Sequence, residues 1–386
     1  MMRILFFHNG CDLYGASRSL LRLSSRLQEE GHDVHVILRD EGPLSECLAS
    51  AGIPVFHSIR NQFIERATWS SLRGKLKFLT GFLPSFLFCM KMIRKFRPHV
   101  IHVNAALLPI APLAGRICRV PVVWHMRESF SEFGRLWWGY QKLIGLLAGR
   151  VIAVSNAVAD QFQGAAAHKV QTIYNGFPLA EFSVVSEDRI RAFRERFDLK
   201  DDLTVGVVGR IKFERKGQEY LVEAAARLKP EFPHVRYLII GSPFPGNEVH
   251  RKQLEELIVR LGVENQFILT GDVEDIKAAY AALDVSVVPS GLPEPFGGVV
   301  IESMAMGLPV IGTDIGGTAE QIVEGETGFL VPARDSNALA EAMGKLLTDE
   351  KLRIRMGKAG RKRFEMNFEF EAFYSKMMQV YKEVIG

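Results

Sequence analysis

The stretch Pro289-Ser-Gly-Leu-Pro-Glu294-Pro-Phe-Gly-Gly-Val-Val-Ile-Glu302-Ser-Met-Ala-Met-Gly307-Leu-Pro309 decides the fold class of this chain. It follows the apolar, β-branched run 284–289, which is typical of a buried strand. The glycines and prolines predict an irregular, tight loop. A helix is expected to begin near Gly297 and to end at Gly307, since Pro309 cannot continue it. The pattern therefore predicts a strand, a loop and a helix in succession.

The start of this predicted helix is suited to bind a ligand that carries both phosphate and sugar. A helix N-terminus presents free N–H groups and the positive end of a dipole, which favour an anion. Glu294 lies in the loop, and the Cβ of Glu302 tilts back towards the same N-terminus. Carboxylates repel phosphate but accept hydrogen bonds from hydroxyls. The combination indicates a nucleotide sugar. The alternative is that Glu302 is an ordinary solvated helix residue.

The spacing of the two glutamates, Glu294-Pro-Phe-Gly-Gly-Val-Val-Ile-Glu302, resembles the Glu-x7-Glu signature of retaining glycosyltransferases of family 4. Two further motifs are similar to the same family: Gly307-Leu-Pro-Val-Ile-Gly-Thr-Asp-Ile-Gly-Gly317-Thr-Ala-Glu320 and Gly325-Glu-Thr-Gly328-Phe-Leu-Val-Pro332. The resemblance is dense over about residues 200–335 and weaker, but recognisable, before them.

The resemblance implies an α/β chain with the GT-B fold, in which two Rossmann-like domains face each other across a cleft. A length of 386 residues supports two domains, because one ordinary domain is shorter. We expect an N-terminal, acceptor-binding domain over residues 1–180 and a C-terminal, nucleotide-sugar-binding domain over residues 181–365. Residues 366–386 are expected to form a helix that crosses back to the first domain, as is usual in GT-B enzymes.

The start of the chain, residues 3–38, predicts a β-α-β unit with glycines at its first turn, as in doubly wound folds. The Gly-x-Gly-x-x-Gly fingerprint is absent, so these residues do not support a dinucleotide site of the usual kind. In family 4 enzymes the corresponding loop approaches the diphosphate of the donor. Gly15 and Ala16 match that position, and a plain turn is the alternative interpretation.

Two polar residues of the N-terminal domain lie at expected ligand positions. Residues 120–124 predict a strand, and His125 follows at its C-terminal end, where ligands bind in open α/β sheets. A lone histidine is more often structural, which is the alternative. The resemblance implies that His125 contacts the transferred sugar. It also implies a donor-binding role for Asn175, which precedes Gly176 at a turn just before the crossover between the domains.

Two cations follow the first predicted strand of the C-terminal domain, in Gly209-Arg210-Ile-Lys-Phe-Glu-Arg-Lys216-Gly. Such cations can neutralise a diphosphate leaving group, Lys216 as a point charge and Arg210 as a planar fork. The pattern resembles the phosphate clamp of the family, with Gly209 next to the donor. By the same resemblance, the residues around Val273 contact the base.

The resemblance also assigns roles around the Glu-x7-Glu motif. Glu302 is expected to hold the ribose and Glu294 the hydroxyls of the donor sugar. Phe296, Gly297 and Gly298 are expected to supply backbone N–H groups to the diphosphate. The two glutamates are therefore expected to bind the donor, unlike the acid/base pair of a glycoside hydrolase.

A metal-independent, retaining mechanism is implied. No Asp-x-Asp sequence occurs at a plausible strand end, so we expect no metal ion or other cofactor, and the two cations of the clamp stabilise the departing charge. Four cysteines in the first third of the chain show no paired spacing, which argues against a zinc site or a disulfide framework. This usage fits a reducing compartment, and a cytoplasmic location is expected. No nucleic-acid partner is expected.

The charge of the chain is uneven. Residues 1–180 hold 21 Lys and Arg against 11 Asp and Glu, whereas the remainder holds 27 against 33. Within the basic half, residues 60–97 carry nine cations and one acid among many aromatic residues. The uncharged run 78–90 contains Pro84 and is too short to span a bilayer. The stretch is expected either to lie on an anionic membrane surface at the inner face of the membrane or to form a helix pair with solvated lysines.

The resemblance, together with these observations, implies a retaining glycosyltransferase that moves a hexosyl unit from a nucleotide-diphosphate sugar to a hydroxyl of a glycan or a lipid-linked acceptor. Cell-surface polysaccharide or lipopolysaccharide assembly is the expected setting. Two alternatives come from other classes. A GT-B nucleotide-sugar epimerase would convert the donor without an acceptor, and a non-catalytic nucleotide-sugar-binding relative would usually lack His125, Arg210, Lys216 or Glu294, all of which are present.

Overall fold

The computed structural model describes residues 1–57, 72–105, 107–130, 133–182 and 184–386. The chain forms two compact units. The N-terminal unit contains residues 1–176 together with residues 371–386, and the C-terminal unit contains residues 177–370. The divisions therefore fall after Gly176 and Phe370, compared with the expected positions 180 and 365.

The N-terminal unit is built on a seven-stranded parallel sheet. Its strands are β1 (Arg3–Phe7), β2 (Asp33–Leu38), β3 (Val55–His57), β4 (Val100–Val103), β5 (Val122–Met126), β6 (Arg150–Ala153) and β7 (Val170–Thr172). They are ordered β3-β2-β1-β4-β5-β6-β7. The strand order reverses between β1 and β4, which makes the carboxyl ends of these two strands the place where a ligand crevice is expected.

The helices of the N-terminal unit cover both faces of this sheet. They are α1 (Gly15–Glu29), α2 (Pro43–Ser50), α3 (Leu72–Phe96), α4 (Ile110–Ile117), α5 (Gly134–Leu147), α6 (Asn156–Ala159) and the C-terminal helix, which we number α15 (Phe370–Ile385). Within this unit Tyr381 of α15 donates or accepts a hydrogen bond of 2.7 Å with Nδ1 of His102, and Arg150 pairs with Glu383 at 3.0 Å. The last helix therefore packs on the N-terminal sheet.

The C-terminal unit has a second parallel sheet of six strands. Its strands are β8 (Thr204–Val208), β9 (Arg236–Ile240), β10 (Phe267–Gly271), β11 (Val285–Val288), β12 (Val310–Thr313) and β13 (Gly328–Val331), ordered β10-β9-β8-β11-β12-β13. Its helices are α7 (Glu187–Arg196), α8 (Gln218–Leu228), α9 (Val249–Arg260), α10 (Ile276–Ala281), α11 (Gly298–Ala305), α12 (Gly316–Gln321), α13 (Ser336–Thr348) and α14 (Glu350–Asn367). Here the order reverses between β8 and β11.

Both sheets are buried on both faces, as parallel sheets require. The strands β4, β5, β11 and β12 are buried at every position, and their apolar, largely β-branched residues form the two cores. This is the α/β architecture of two Rossmann-like units that the sequence predicts.

The basic stretch 60–97 falls partly outside the described residues. Residues 60–71 are among those the structure does not describe, and neither are the side chains of residues 72–75 and 77. Residues 72–96 form the single helix α3, with Pro84 inside it, and the alternative of a helix pair over residues 60–97 extends into residues that the structure does not describe. No helix among the described residues is long and apolar enough to cross a membrane.

Candidate functional site

The cation and the acid predicted to bind the donor meet in the C-terminal unit. Lys216 follows β8 and Glu294 follows β11, the two strands between which the sheet order reverses. The Lys216 Nζ and Glu294 Oε1 atoms are 2.8 Å apart, and their side chains are 32% and 13% exposed. This is the distance of an ion pair, although the angles are not those of a hydrogen bond. A fixed positive charge therefore stands beside a carboxylate at the ligand end of the sheet.

Glycine allows the two loops to approach each other this closely. Gly217 lies in the left-handed region with φ +71°, and a Cβ at this position would overlap the carbonyl oxygen of Pro289. At Gly291 in the facing loop, a Cβ would overlap the carbonyl oxygen of Glu214. Both positions exclude any larger residue, so the backbone itself holds Lys216 against the loop that carries Glu294.

Arg210, the other predicted clamp residue, lies just after β8. Its side chain contacts an aromatic ring, whereas that of Lys216 pairs with a carboxylate. Its guanidinium carbon is 4.9 Å from the centre of the Phe244 ring, a cation–π contact. The buried side chain of Gln218 donates a hydrogen bond of 2.9 Å to the carbonyl oxygen of Arg210. Gly209 before it has φ +129°, which glycine adopts readily.

Glu302 reaches back to the start of its helix, as the helix geometry predicts. The helix α11 begins at Gly298, with Gly297 as its N-cap residue at φ +74°. The buried hydroxyl of Tyr280 donates a hydrogen bond of 2.7 Å to Glu302 Oε2. The other carboxylate oxygen, Oε1, faces Gly298, where a Cβ would lie 3.8 Å from it. Glu302 is half-buried and its Oε2 is held by Tyr280, so it differs from an ordinary solvated helix residue.

A pair of glycines holds the loop that carries Glu294. The amide of Gly317 donates a hydrogen bond of 2.8 Å to the carbonyl oxygen of Glu294. A Cβ at Gly316, which has φ +59°, would overlap that same oxygen, and a Cβ at Gly317 would overlap the carbonyl oxygen of Pro295. The buried side chain of Gln321 also donates a hydrogen bond to the carbonyl oxygen of Phe296. The helix α12 thus packs against the backbone of residues 294–296 and fixes the conformation of the loop.

Two of the predicted donor-binding residues, Phe296 and Val273, have side chains that pack against apolar neighbours. The ring of Phe296 is 5% exposed and packs against Phe177 and Phe368, so only its backbone is suited to face a ligand. Val273 is partly buried against the apolar cluster that contains Leu238 and Tyr280.

In the N-terminal unit, the predicted site residues are gathered around Arg127, which lies just after β5. Its guanidinium donates three hydrogen bonds: 2.8 Å to Asn104 Oδ1, 2.7 Å to Asn175 Oδ1 and 2.9 Å to Ser19 Oγ. All three acceptors are neutral, and Arg127 is buried. Burial lowers the pKa of Arg127 to about 9, and the group stays a cation at neutral pH. Arg127 therefore joins the loop of Asn175 to the helix α1.

His125 is fully buried in β5 and contacts the same guanidinium. Its Nδ1 is 3.4 Å from Arg127 Nη2. Since a guanidinium can only donate, Nδ1 must accept, and the ring proton is on Nε2. No described residue accepts a hydrogen bond from Nε2. Burial lowers the pKa of His125 well below 6.5, and the nearby charge of Arg127 and the ring of His102 lower it further. His125 is thus a neutral imidazole with an unused N–H donor.

The start of α1 is tied to this network. Nδ1 of His8 lies 3.1 Å from the carbonyl oxygen of Asn104, and its Nε2 lies 3.0 Å from Ser17 Oγ. Burial lowers the pKa of His8 to about 4, so its ring is neutral. The carbonyl oxygen of Ala16 accepts a hydrogen bond of 3.2 Å from Asn104 Nδ2. Gly15 is exposed, and a Cβ there would meet nothing within 4 Å, so the backbone at this glycine is open to solvent.

The structure thus brings the predicted residues together in two groups, one within each unit. Lys216 and Glu294 meet in the C-terminal unit, whereas His125 and Asn175 share a contact with Arg127 in the N-terminal unit. Sequence reasoning missed Tyr280, Arg127, Gln321 and the glycine pair at 316–317 as supporting residues. The sequence gives only a weak indication of these residues. A tyrosine or an arginine among apolar residues needs a polar partner, but the sequence does not identify that partner.

Comparison with known proteins bears on the identity of this site. A family model described as "Glycosyl transferases group 1" matches residues 189–363, and one described as "Glycosyltransferase Family 4" matches residues 14–181. Each match lies almost entirely within one of the two units.

Curated relatives carry glycosyltransferase names. D-inositol 3-phosphate glycosyltransferase of Corynebacterium urealyticum is 33% identical over 213 residues, which is 53% of this chain and 50% of the relative. The capsular polysaccharide biosynthesis glycosyltransferase CapM of Staphylococcus aureus is 34% identical over 183 residues, 47% of each. The chain spans about half the length of the curated relatives it matches.

Solved structures with a similar fold cover nearly the whole chain. HepE of Anabaena in complex with UDP has a TM-score of 0.85 and 25% identity, covering 99% of this chain and all of that one. The same protein with UDP and glucose has a TM-score of 0.84 and 26% identity, with the same coverage. With two family models matched along consecutive parts of the sequence, the chain belongs to the group 1, family 4 glycosyltransferases and has their GT-B fold of two Rossmann-like units.

Proposed function

We propose that this chain is a retaining glycosyltransferase that moves a hexosyl unit from a nucleotide-diphosphate sugar to a hydroxyl of a glycan or lipid-linked acceptor. The observation that carries the proposal is the contact between Lys216 and Glu294 at the reversal point of the C-terminal sheet. A cation for a diphosphate and a carboxylate for sugar hydroxyls lie side by side there, as a nucleotide sugar requires.

A uridine nucleotide is the first donor to test. The similar HepE structures hold UDP, or UDP with glucose, and this supports a UDP-hexose for the present chain. The likeness to CapM supports assembly of a cell-surface polysaccharide as the setting. The free cysteines among the described residues fit a cytoplasmic protein.

The donor is proposed to bind through the residues that the structure has fixed. Glu302, held by Tyr280, accepts hydrogen bonds from the ribose. The backbone at the start of α11, from Phe296 to Gly298, meets the diphosphate with its N–H groups. Arg210 and Lys216 neutralise the charge of the diphosphate, and Val273 contacts the base.

Transfer then needs one bond to form and one to break at the anomeric carbon. The bond from this carbon to the diphosphate oxygen breaks, and the acceptor oxygen bonds to the carbon on the same face. The leaving oxygen takes the proton of the acceptor hydroxyl, so the protein need not supply a base. The largest contribution of the protein is the stabilisation of the departing charge by Lys216 and Arg210, with no metal ion required.

The remaining residues position the sugar. Glu294 accepts hydrogen bonds from the hexose hydroxyls, and the neutral His125 offers its Nε2–H to a sugar oxygen. Asn175, together with Gly15, Ala16 and Gly209, is proposed to line the donor. His125 is fully buried in this structure, so its contact with the sugar requires the surrounding residues to move.

The proposal is tested by incubation with uridine-, guanosine- and adenosine-diphosphate hexoses, with and without a panel of glycan and lipid-linked acceptors. We expect transfer from a UDP-hexose only when an acceptor is present, with the anomeric configuration of the donor retained in the product by NMR. Conversion of the nucleotide sugar without an acceptor would show an epimerase instead. Binding of a nucleotide sugar without turnover on any acceptor would favour a non-catalytic relative.

A further inference from the structure

Three helices of the N-terminal unit form one layer on the same side of its sheet. The helices α3, α4 and α5 connect β3 to β4, β4 to β5 and β5 to β6, which follow one direction along the sheet. Right-handed crossovers in one direction place their helices on one face. Consistent with this, α3 packs against α4, and α4 packs against α5. We call these three helices the basic layer.

The basic layer contains no acidic residue. Its helices carry nine Lys and Arg and not one Asp or Glu, in a chain that holds 48 of the former and 44 of the latter. The helices α1 and α2, which the opposite strand direction places on the other face, do contain acids. Exposed cations come from all three helices of the layer: Lys91, Arg94, Arg116, Arg135 and Lys142. The excess charge of the N-terminal unit is thus concentrated on one side.

The outer face of α3 is also apolar. Leu76, Leu79, Leu83 and Leu87 are between 57% and 69% exposed, and their spacing of three and four residues puts them in one line along the helix. The same spacing leads on to the exposed Lys91 and Arg94. The inner face is apolar as well, since Cys89 and Ile93 are buried in the core.

Neighbouring helices extend this apolar surface. Trp138 and Leu146 of α5 are 55% and 65% exposed, and the ammonium group of Lys142 lies 3.3 Å from the centre of the Trp138 ring. A surface helix of a water-facing protein normally carries polar residues outside. A row of exposed leucines and a tryptophan, bordered by cations, instead marks an interaction surface.

We propose that the basic layer docks on the interface of an anionic lipid bilayer. The leucines of α3 and Trp138 enter the headgroup region, and the surrounding cations face the negative headgroups. This inference deepens the lipid-linked acceptor of the proposed function, because it brings the protein to the surface where such an acceptor is held. Docking itself does not depend on catalysis, so the two can fail separately.

Charge favours a bilayer over a second copy of this chain as the occupant. A symmetric dimer through this face would bring the exposed cations Lys91, Arg94, Arg116, Arg135 and Lys142 of one copy against the same cations of the other, and the three helices hold no acid to offset them. An anionic bilayer supplies both the negative charge and the apolar interior. The proposed attachment is to the bilayer surface, because only the outer line of leucines on α3 is exposed while its opposite face is buried in the core.

The test is co-sedimentation of the full chain with vesicles of phosphatidylcholine alone or mixed with phosphatidylglycerol. We expect binding to the anionic vesicles and little to the neutral ones, and weaker binding at high salt, since exposed charges are screened. The double variant Lys91→Glu/Arg94→Glu loses two cations, each worth about a fivefold factor in partition at an anionic surface. Its partition should fall by about 25-fold through the loss of these cations, and further because each position also gains a negative charge.

Matched variants separate this surface from general effects of charge and hydrophobicity. Lys351→Glu/Arg355→Glu changes two exposed cations of α14 by the same charge and should leave vesicle binding unchanged. Leu79→Ser/Leu83→Ser should weaken binding even at a salt concentration where charge contributes little. Its control, Val259→Ser/Ile354→Ser, removes two exposed apolar residues from the C-terminal unit and should have no effect. Circular dichroism and thermal unfolding check that each variant is folded.

The outcomes distinguish an anionic bilayer from a second copy of the chain as the partner of this surface. Equal loss of binding in the α14 control would show non-specific charge attraction and overturn the proposal. Failure of the folded wild-type protein to bind anionic vesicles would overturn it too. If such a protein also formed a dimer that Leu79→Ser/Leu83→Ser abolishes, a second copy would be the occupant. Vesicle binding without binding of any nucleotide sugar would contradict the proposed function but leave the docking surface intact.

Discussion

Lys216 Nζ lies 2.8 Å from Glu294 Oε1 in the C-terminal unit, so the proposed diphosphate cation and the proposed sugar-binding carboxylate are partners of each other. The pair keeps both charges in place before any ligand arrives, since each compensates the other at a partly buried site. In the proposed function, a diphosphate that approached Lys216 would compete with Glu294 and leave the carboxylate available for sugar hydroxyls. We therefore expect the two proposed roles to be coupled through this one contact.

The two glutamates should affect different ligands. Glu302→Ala is expected to weaken binding of both UDP and the whole UDP-hexose, because the ribose is common to the two. Glu294→Ala should weaken binding of the UDP-hexose but not of UDP, since only the former carries hexose hydroxyls. Titration calorimetry with both ligands measures the difference. Equal losses for the two ligands in Glu294→Ala would contradict the division of roles.

Tyr280 should matter for nucleotide binding although it is buried. Tyr280→Phe removes the hydrogen bond to Glu302 Oε2 and should weaken UDP binding by about tenfold, as expected for a bond to a charged group. Tyr237→Phe is the matched control, because the buried hydroxyl of Tyr237 has no hydrogen-bond partner among the described residues. Calorimetry with UDP compares the two variants. An unchanged affinity in Tyr280→Phe would show that Glu302 needs no such support.

The tautomer of His125 can be observed directly. The guanidinium of Arg127 donates towards Nδ1, so the ring should be neutral with its proton on Nε2, and this state should persist at pH 5.5 because the pKa is well below 6.5. Two-dimensional NMR of the imidazole nitrogens in ¹⁵N-labelled protein measures it, with His125→Gln for the assignment. A positively charged ring, or a proton on Nδ1, would contradict the proposed contact between Nε2–H and a sugar oxygen.

Acid should destabilise the N-terminal unit through His8. Burial lowers the pKa of His8 to about 4, so the unfolded chain binds a proton below pH 6.5 that the folded chain does not. The stability that this contributes is complete above pH 6.5 and is lost as the pH falls towards 4. Between pH 7 and pH 5 the loss should be about 2 kcal/mol for this group. Urea unfolding at the two pH values measures it, and His8→Gln should show a correspondingly smaller dependence.

The sequence predicts those features that follow from local geometry. The order of strand, glycine loop and helix around residues 284–307 is observed, because glycine permits the left-handed backbone that the loop and helix end need, and proline prevents the helix from continuing. The orientation of Glu302 towards the start of its helix also follows from helix geometry alone.

The missing parts of the site depend on contacts between distant positions. Tyr280 meets Glu302 from a preceding helix, Arg127 meets Asn175 from another strand end, and Gly316 fits a loop that begins at Pro289. No local pattern specifies such pairs, since each partner is chosen by the packing of the sheet.

The most direct test of the account is the turnover number of Lys216→Ala with a UDP-hexose and its acceptor. Lys212→Ala, at an exposed lysine of the same loop, is the control. If Lys216 stabilises the departing diphosphate, kcat should fall by about 100-fold or more, whereas Lys212→Ala should stay close to the wild type. Magnesium or a chelator should change neither result. A wild-type kcat in folded Lys216→Ala would contradict the central claim.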